Sequence, residues 1–349
     1  MTLDLRFAEV ALPPAEEAQA AIARLAKNVS ALSPLGGMQQ LRTKIVDHIL
    51  SFGLSYSYDG VIVTAGATQA FSSLILAQAS IDDIVVLPNP GLASHLSAIL
   101  NTGRNVAFYT PPKGPDDFSW VEQIEQAGGA AKVLLWVSPH TPTGHVASLD
   151  QCREVARLVN RYELFLICDE VFSDLVWDVR HETPLRWVDA ERSAGIWSAS
   201  KSLRLPGHRV GWIATAPSVG RSLAKISWSL TMGATTIGQA ACLASLDVYS
   251  SVLSESRKHL RRNMEIVHEG LKSIWNVKIP GGGSCFWINI ANSEYSALWL
   301  QSQLYKACNI RVLTGEAFGE TNSNHIRISA GADGDIIRTA VTLITELIG

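Results

Sequence analysis

Residues 198–212 read Ser198-Ala199-Ser200-Lys201-Ser202-Leu203-Arg204-Leu205-Pro206-Gly207-His208-Arg209-Val210-Gly211-Trp212, and the rest of the chain is organised around them. An apolar β-like run, Gly195-Ile196-Trp197, leads to a lone lysine preceded closely by two serines, and a second β-like run begins at Val210. A lysine at a strand end, flanked by serines, glycine and arginine, is a poor way to build a core. It suits an amine that must reach a carbonyl in a dry cleft, with hydroxyls and a guanidinium beside a phosphate. A surface loop with an ordinary lysine is the competing reading of these residues alone.

The chain has 349 residues, 47% of them hydrophobic and 17% charged, which is ample for a large core in one or two domains. The formal charge is -3 and no long run carries one sign, so neither nucleic acid nor an acidic membrane surface is expected as a partner. The 5 cysteines (Cys152, Cys168, Cys242, Cys285, Cys308) are scattered and form no CxxC, which argues against a zinc site or a disulfide framework. Buried thiols in a reducing compartment are expected instead. The first residues resemble no signal peptide, and no apolar run is long enough to span a bilayer. The expectation is a soluble cytoplasmic protein with no metal.

Outward from the lysine, strands and helices alternate. Apolar runs at 60–64, 84–87, 105–109, 132–137 and 164–168 read as strands, and segments at 70–78, 93–100 and 149–160 read as helices between them. Helices are also expected at 15–25, with Pro14 near the first turn, and at 38–51. Continuous apolar strands separated by helices predict an α/β fold with a mostly parallel sheet covered on both faces. Ligands of such sheets bind at the carboxyl ends of strands, where Thr68, His140-Thr141, Asp169 and Lys201 fall. Residues 217–275 read as mostly helical, with one long amphipathic stretch from 239 to 274, and the remainder as a smaller α+β unit.

Asp169 ends an apolar strand, and a carboxylate there needs a partner. It suits a protonated heterocyclic nitrogen, with His95 donating to the carboxylate; a helix N-cap or an ion pair is the alternative. Gly66-Ala67-Thr68 leads directly into a helix whose first amides suit a phosphate. Arg327 sits inside the apolar run Ile326-Arg327-Ile328 and wants a carboxylate fork, internal or from a substrate. His140 and His145 are expected to be solvated loop histidines.

Together these residues resemble fold-type-I enzymes dependent on pyridoxal 5'-phosphate, specifically the class I/II aminotransferase family. The resemblance rests on Leu35-Gly36-Gly37, Thr64-Ala65-Gly66-Ala67-Thr68-Gln69, Ser138-Pro139-His140-Thr141-Pro142-Thr143-Gly144, Asp169-Glu170-Val171-Phe172-Ser173, the lysine segment, Thr314-Gly315 with Phe318-Gly319, and Ile326-Arg327-Ile328-Ser329. It implies the aspartate aminotransferase fold: a large domain with a seven-stranded, mostly parallel sheet (residues 31–240), and a small α+β domain built from residues 1–30 and 241–349. It implies that Lys201 forms the Schiff base and moves the substrate's α-proton, and that Asp169, oriented by His95, keeps the cofactor's ring nitrogen protonated. The phosphate would be held by Gly66, Ala67, Thr68, Ser198, Ser200 and Arg209. The α-carboxylate would be bound by Arg327, with Ala8 and Glu9 beside the substrate. A homodimer acting on an amino acid is implied as well.

The chain departs from the family's pattern where Thr141 replaces an asparagine, Phe172 a tyrosine, Leu92 a stacking aromatic residue, and Leu32 a tyrosine that reaches the partner subunit. Phe172 has no hydroxyl to give the cofactor's phenolic oxygen, and Thr141 only a short one. No arginine lies in 228–236, where dicarboxylate-specific relatives carry one, and Glu9, expected to line the pocket with Phe7, suits a cationic side chain. Amino transfer is therefore the first expectation. Elimination or cyclisation, with an arginine-derived substrate among the options, stands second. A non-catalytic effector-sensing protein stands last, because Lys201, Asp169, Arg209 and Arg327 are all intact.

Overall fold

The computed structural model describes residues 2–27 and 31–348. Residues 28–30, where the expected division between the N-terminal piece and the large domain falls, lie outside the described residues. The chain runs β1 (Leu3–Asp4), α1 (Glu16–Ala26), α2 (Gln39–Leu50), β2 (Val61–Thr64), α3 (Ala67–Gln78), β3 (Ile84–Pro88), α4 (Ala93–Leu100), β4 (Asn105–Tyr109), α5 (Trp120–Gly128), β5 (Ala131–Val137), α6 (Leu149–Arg161) and β6 (Phe165–Asp169). It continues as β7 (Ser193–Ser198), β8 (Gly211–Ala214), α7 (Pro217–Thr231), α8 (Thr236–Asp247), α9 (Tyr249–Trp275), β9 (Cys285–Asn289), α10 (Ala297–Cys308), β10 (Ile310–Arg311), β11 (Leu313–Thr314), β12 (His325–Ser329) and α11 (Gly334–Ile348).

A 7-stranded sheet in the order β2-β8-β7-β6-β5-β3-β4 forms the centre, and β8 alone runs antiparallel to its neighbours. Its strands, apart from the edge strand β4, are buried on both faces, which is why they read as unbroken apolar runs. Val61, Val63, Leu134, Trp136, Leu166 and Trp197 pack on one face, while Ile62, Val133, Leu135, Ile167, Ile196 and Ile213 pack on the other. This is the period-2 alternation of a pleated strand. α6 starts at a capping box between Ser148 and Gln151.

A second core gathers β9, β12 and the helices after residue 260, together with Leu3, Leu5, Ala8 and Val10 from the other end of the chain. The N-terminal segment is woven into it: Leu5 N–H donates to Arg311 O (2.9 Å), Ser329 N–H to Leu5 O (3.0 Å) and Ala11 N–H to Gly331 O (2.7 Å). A Cβ at position 331 would lie 1.6 Å from Glu9 O, so only glycine permits this approach. Ala15 and Ala18, by contrast, pack in the sheet-side core.

One local expectation needs correcting. The helical stretch 217–275 is three helices, broken where Met232 turns left-handed (φ 56°) and again at Val248. Pro14 directly precedes Ala15, the N-cap of α1, close to the first turn. Among the described residues no helix is long and apolar enough to cross a membrane.

Candidate active site

Asp169 closes β6, Ser198 closes β7, and Lys201 follows in the turn before β8. These strands are neighbours, and register places Asp169 opposite Ile196 and Ser198 opposite Gly211. Gly211 is also opposite Thr64, which brings the start of α3 alongside. The carboxyl ends of three strands thus deliver their polar residues to one edge. Ala8, Glu9, Ala67, Thr68, Leu92, His95, Thr141, Asp169, Phe172, Ser198, Ser200, Lys201, Arg209 and Arg327 all line a single cavity of about 260 Å³. Gly66 stands just behind it as the N-cap of α3.

Burial pushes the Lys201 ammonium below its ordinary range, and Arg327 and Arg209 push it the same way against the opposing charges of Cys285 and Glu9. A lowered ammonium releases the neutral, nucleophilic amine more readily. Its Nζ lies 5.6 Å from the centre of the Phe172 ring. Asp169 Oδ1 accepts from Val171 N–H (3.1 Å), and Oδ2 lies 3.5 Å from His95 Nε2. Burial raises the Asp169 carboxyl to about 6, and lowers the His95 imidazole to about 4. His95 is therefore neutral at neutral pH and stands beside the carboxylate as an uncharged neighbour.

The cradle beside them is built for an anion. The first amides of α3 have no partner within the helix. Ser198 Oγ donates to Ser200 Oγ (2.9 Å) and accepts from Ser200 N–H (3.1 Å), which holds both hydroxyls at the cavity. Arg209 is in the left-handed region (φ 51°) and donates to Pro206 O (3.0 Å). A Cβ on Gly66 would lie 2.5 Å from Arg209 Nη2, and one on Gly211 would lie 2.7 Å from Ala67 N. Both glycines keep helix amides and guanidinium close together, and the donor set suits a phosphate monoester.

Across the cavity, the Arg327 guanidinium lies 4.7 Å from the centre of the Phe318 ring and donates to Arg6 O through Nη2. Its Nε is buried with no hydrogen-bond partner among the described residues. A buried fork with a free donor is suited to a carboxylate.

Neither His140 nor His145 is a freely solvated loop residue, although His145 is partly exposed. His140 is buried with Nδ1 2.8 Å from Thr143 Oγ1, and His145 Nε2 lies 2.9 Å from Gln151 Oε1. They brace the loop between β5 and α6, and burial lowers His140 to about 3. Phe7, expected beside Glu9, lines the cavity too, and so do Ser94, Val137, Val171 and Pro206, which were not anticipated. Phe7 had a readable signal, since it shares Glu9's side of an extended segment. Phe318, beneath Arg327, had none beyond its place in a Gly-containing turn.

The model of aminotransferase class I and II matches residues 4–343. A probable aspartate aminotransferase of Methanocaldococcus jannaschii is 26% identical over 90% of this chain and 84% of that protein. An arginine–pyruvate transaminase of Pseudomonas aeruginosa is 26% identical over 96% of this chain and 88% of that protein. Among solved structures, Thermus thermophilus aspartate aminotransferase with maleate superposes with a TM-score of 0.91 at 23% identity, covering 99% of this chain and 91% of that one. That last likeness speaks for the fold.

Proposed function

The chain belongs to the class I and II aminotransferases, and we propose that it moves the amino group of an amino acid whose side chain is not a carboxylate, with Lys201 carrying the proton transfers. It is an enzyme of the aspartate aminotransferase fold, and its cofactor is pyridoxal 5'-phosphate. The anion cradle, the buried carboxylate and the half-buried lysine suit that group together, because they match its phosphate, its ring nitrogen and its carbonyl. When bound, the cofactor supplies an electron sink that makes the substrate's α-proton removable.

The chain's own residues do the rest. The amides of Ala67 and Thr68, the hydroxyls of Ser198 and Ser200, and Arg209 hold the phosphate. Asp169, ionised at neutral pH with a carboxyl near 6, keeps a proton on the ring nitrogen, and His95 orients it. Lys201 Nζ takes and returns the α-proton. Arg327 holds the α-carboxylate against Phe318. The observation that carries the reading is the convergence of Lys201, Asp169 and Arg327, from distant parts of the chain, on one 260 Å³ cavity.

The substrate side supports a neutral or cationic side chain. Ala8 and Glu9 line it, Glu9 is exposed there, and its charge is felt by Lys201. The relatives are named for aspartate, glutamate–pyruvate and arginine–pyruvate, so their names do not converge on one substrate. Phe172 and Thr141 favour a second reading, elimination or cyclisation, because Phe172 brings no hydroxyl to the cavity. We assign a homodimer: Leu32, Leu35, Leu230 and Met232 are exposed on segments that Thr236 and Gln239 bond together. The buried free thiols suit the cytoplasm.

The test is to mix holoenzyme with single amino acids and no keto-acid acceptor. Loss of the cofactor's visible band with one keto acid released per site supports amino transfer. Release of ammonia or another leaving group, with the band returning, favours the second reading. A band that no amino acid alters overturns both.

A further inference from the structure

Behind Asp169, on the side away from the cavity, the chain buries a second carboxylate. Glu170 is 2% exposed and is anchored through all three of its polar groups. Its N–H donates to Ile196 O (2.9 Å), its C=O accepts from Ser173 N–H (2.9 Å), and its Oε2 meets His181 Nε2. His181 is itself buried, on the segment between β6 and β7, and Phe52 stands edge-on to its ring at 6.2 Å. Asp169, in contrast, has thin support of its own: one amide at 3.1 Å and a histidine at 3.5 Å.

The other charged groups near this pair are engaged elsewhere. Glu182 is held by Arg186 (2.8 Å) and Arg180 (3.2 Å), and Asp174 accepts from the Tyr249 hydroxyl. The remaining titratable neighbours, Tyr56, Cys152 and Cys168, are pushed towards their neutral forms by burial first, with the Glu170 charge adding to it. His181 is thus the cation available to Glu170. Burial pulls the imidazole towards its neutral form, yet Glu170 holds its proton affinity above the ordinary value.

We propose that Glu170 and His181 are a positioning pair for Asp169: the pair clamps the end of β6, and His181 cancels the Glu170 charge, so that Asp169 is the one uncompensated anion facing the ring nitrogen. Two adjacent buried carboxylates do not both stay ionised without a cation. Removing His181 strands the buried carboxylate, whereas an imidazole left without Glu170 can shed its proton, and replacing both partners together leaves no charge behind. The roles of the two residues are therefore unequal, which is what separates this device from a plain structural hydrogen bond.

The inference rests on Asp169 being the carboxylate at the ring nitrogen, so Asp169→Asn serves as the reference. Holoenzyme, Asp169→Asn, Glu170→Gln, His181→Gln and the double variant Glu170→Gln/His181→Gln are compared by the dissociation constant of pyridoxal phosphate, read from visible absorbance on dialysis, and by melting temperature. Expected is a loss of cofactor affinity of at least about tenfold in His181→Gln, within about threefold of the parent in Glu170→Gln, and recovery in the double variant. Equal losses in both single variants, with a larger one in the double, overturn the proposal in favour of a plain hydrogen bond. A lower melting temperature in His181→Gln with unchanged cofactor affinity also overturns it. If His181→Gln does not fold, Glu170→Gln decides: retained affinity supports the pair's inequality, and a tenfold loss refutes it. If Asp169→Asn itself binds the cofactor normally, the reading of Asp169 fails and takes this inference with it.

Discussion

His95 Nε2 lies 3.5 Å from Asp169 Oδ2, both side chains are buried, and burial drives their proton affinities past one another. The carboxyl rises to about 6 while the imidazole falls to about 4. As pH falls from 6.5, unfolded His95 takes a proton that the folded residue refuses until about 4, so stability is lost. As pH falls from about 6 towards 3.8, folded Asp169 takes a proton that the unfolded residue does not yet hold, so stability is gained. The two effects are of opposite sign and each on the order of 3 kcal/mol. In cofactor-free protein, Asp169→Asn should therefore lose stability on acidification from pH 6 to 4 more steeply than the parent, and His95→Asn less steeply. Melting curves across that range check it; equal slopes in the two variants refute it.

Lys201→Ala removes the amine proposed as both nucleophile and base. Turnover should fall by roughly 10²–10⁴-fold or more. Borohydride treatment followed by mass spectrometry should attach the cofactor covalently to the parent chain and leave the variant unmodified. An adduct on another lysine would relocate the site.

Gly211→Ala tests the cradle without touching a charged group. Its Cβ would fall 2.7 Å from Ala67 N and 2.9 Å from Trp197 O, both backbone atoms that cannot rotate away. The start of α3 must shift, at a cost of about 1–3 kcal/mol. Weaker cofactor retention with intact secondary structure by circular dichroism is expected. Unchanged retention would mean that the α3 amides are not the phosphate site.

Arg327→Lys keeps the charge and loses the planar fork over Phe318. Loss of one charge-assisted bond is worth about 1.5–3 kcal/mol. KM for the amino acid should rise roughly ten- to a hundredfold while the cofactor's visible spectrum stays the same. A spectrum that changes with an unaltered KM would move Arg327 out of the substrate site.

Phe172→Tyr returns a hydroxyl to the cavity face above Lys201, whose Nζ is 5.6 Å from that ring. A donor to the cofactor's phenolic oxygen stabilises its anion. The pH midpoint of the visible band should therefore fall in the variant, by on the order of one unit. A midpoint that does not move would show that position 172 does not reach that oxygen.

What could be read before the structure, and what could not, follows from the period and range of each signal. The strands of the sheet were legible because burial on both faces forces unbroken apolar runs, and Asp169 and Lys201 stood out as polar residues at their ends. Arg327 was legible for the same reason, as a charge inside an apolar strand. The break at Val248 was hidden because α8 and α9 carry the same helical period on both sides of it. His140 looked like a loop residue because nothing local announces that Thr143 and a buried neighbourhood receive it. The Glu170–His181 pair was illegible for a different reason: Glu170 lies just past the end of β6, and its partner comes from the irregular segment before β7, with no period to link the two.

The bond between Leu5 and Ser329, and the close passage of Glu9 over Gly331, also set an order of assembly. The sheet, the lysine turn and the phosphate cradle are complete once residue 214 is in place. The far side of the cavity is different, because it is made by residues 7–9 lying against residues 327–331. In order of synthesis the edge that carries Lys201 and Arg209 comes first, and residues 7–9 gain the neighbours that close the cavity only when residues 327–331 follow.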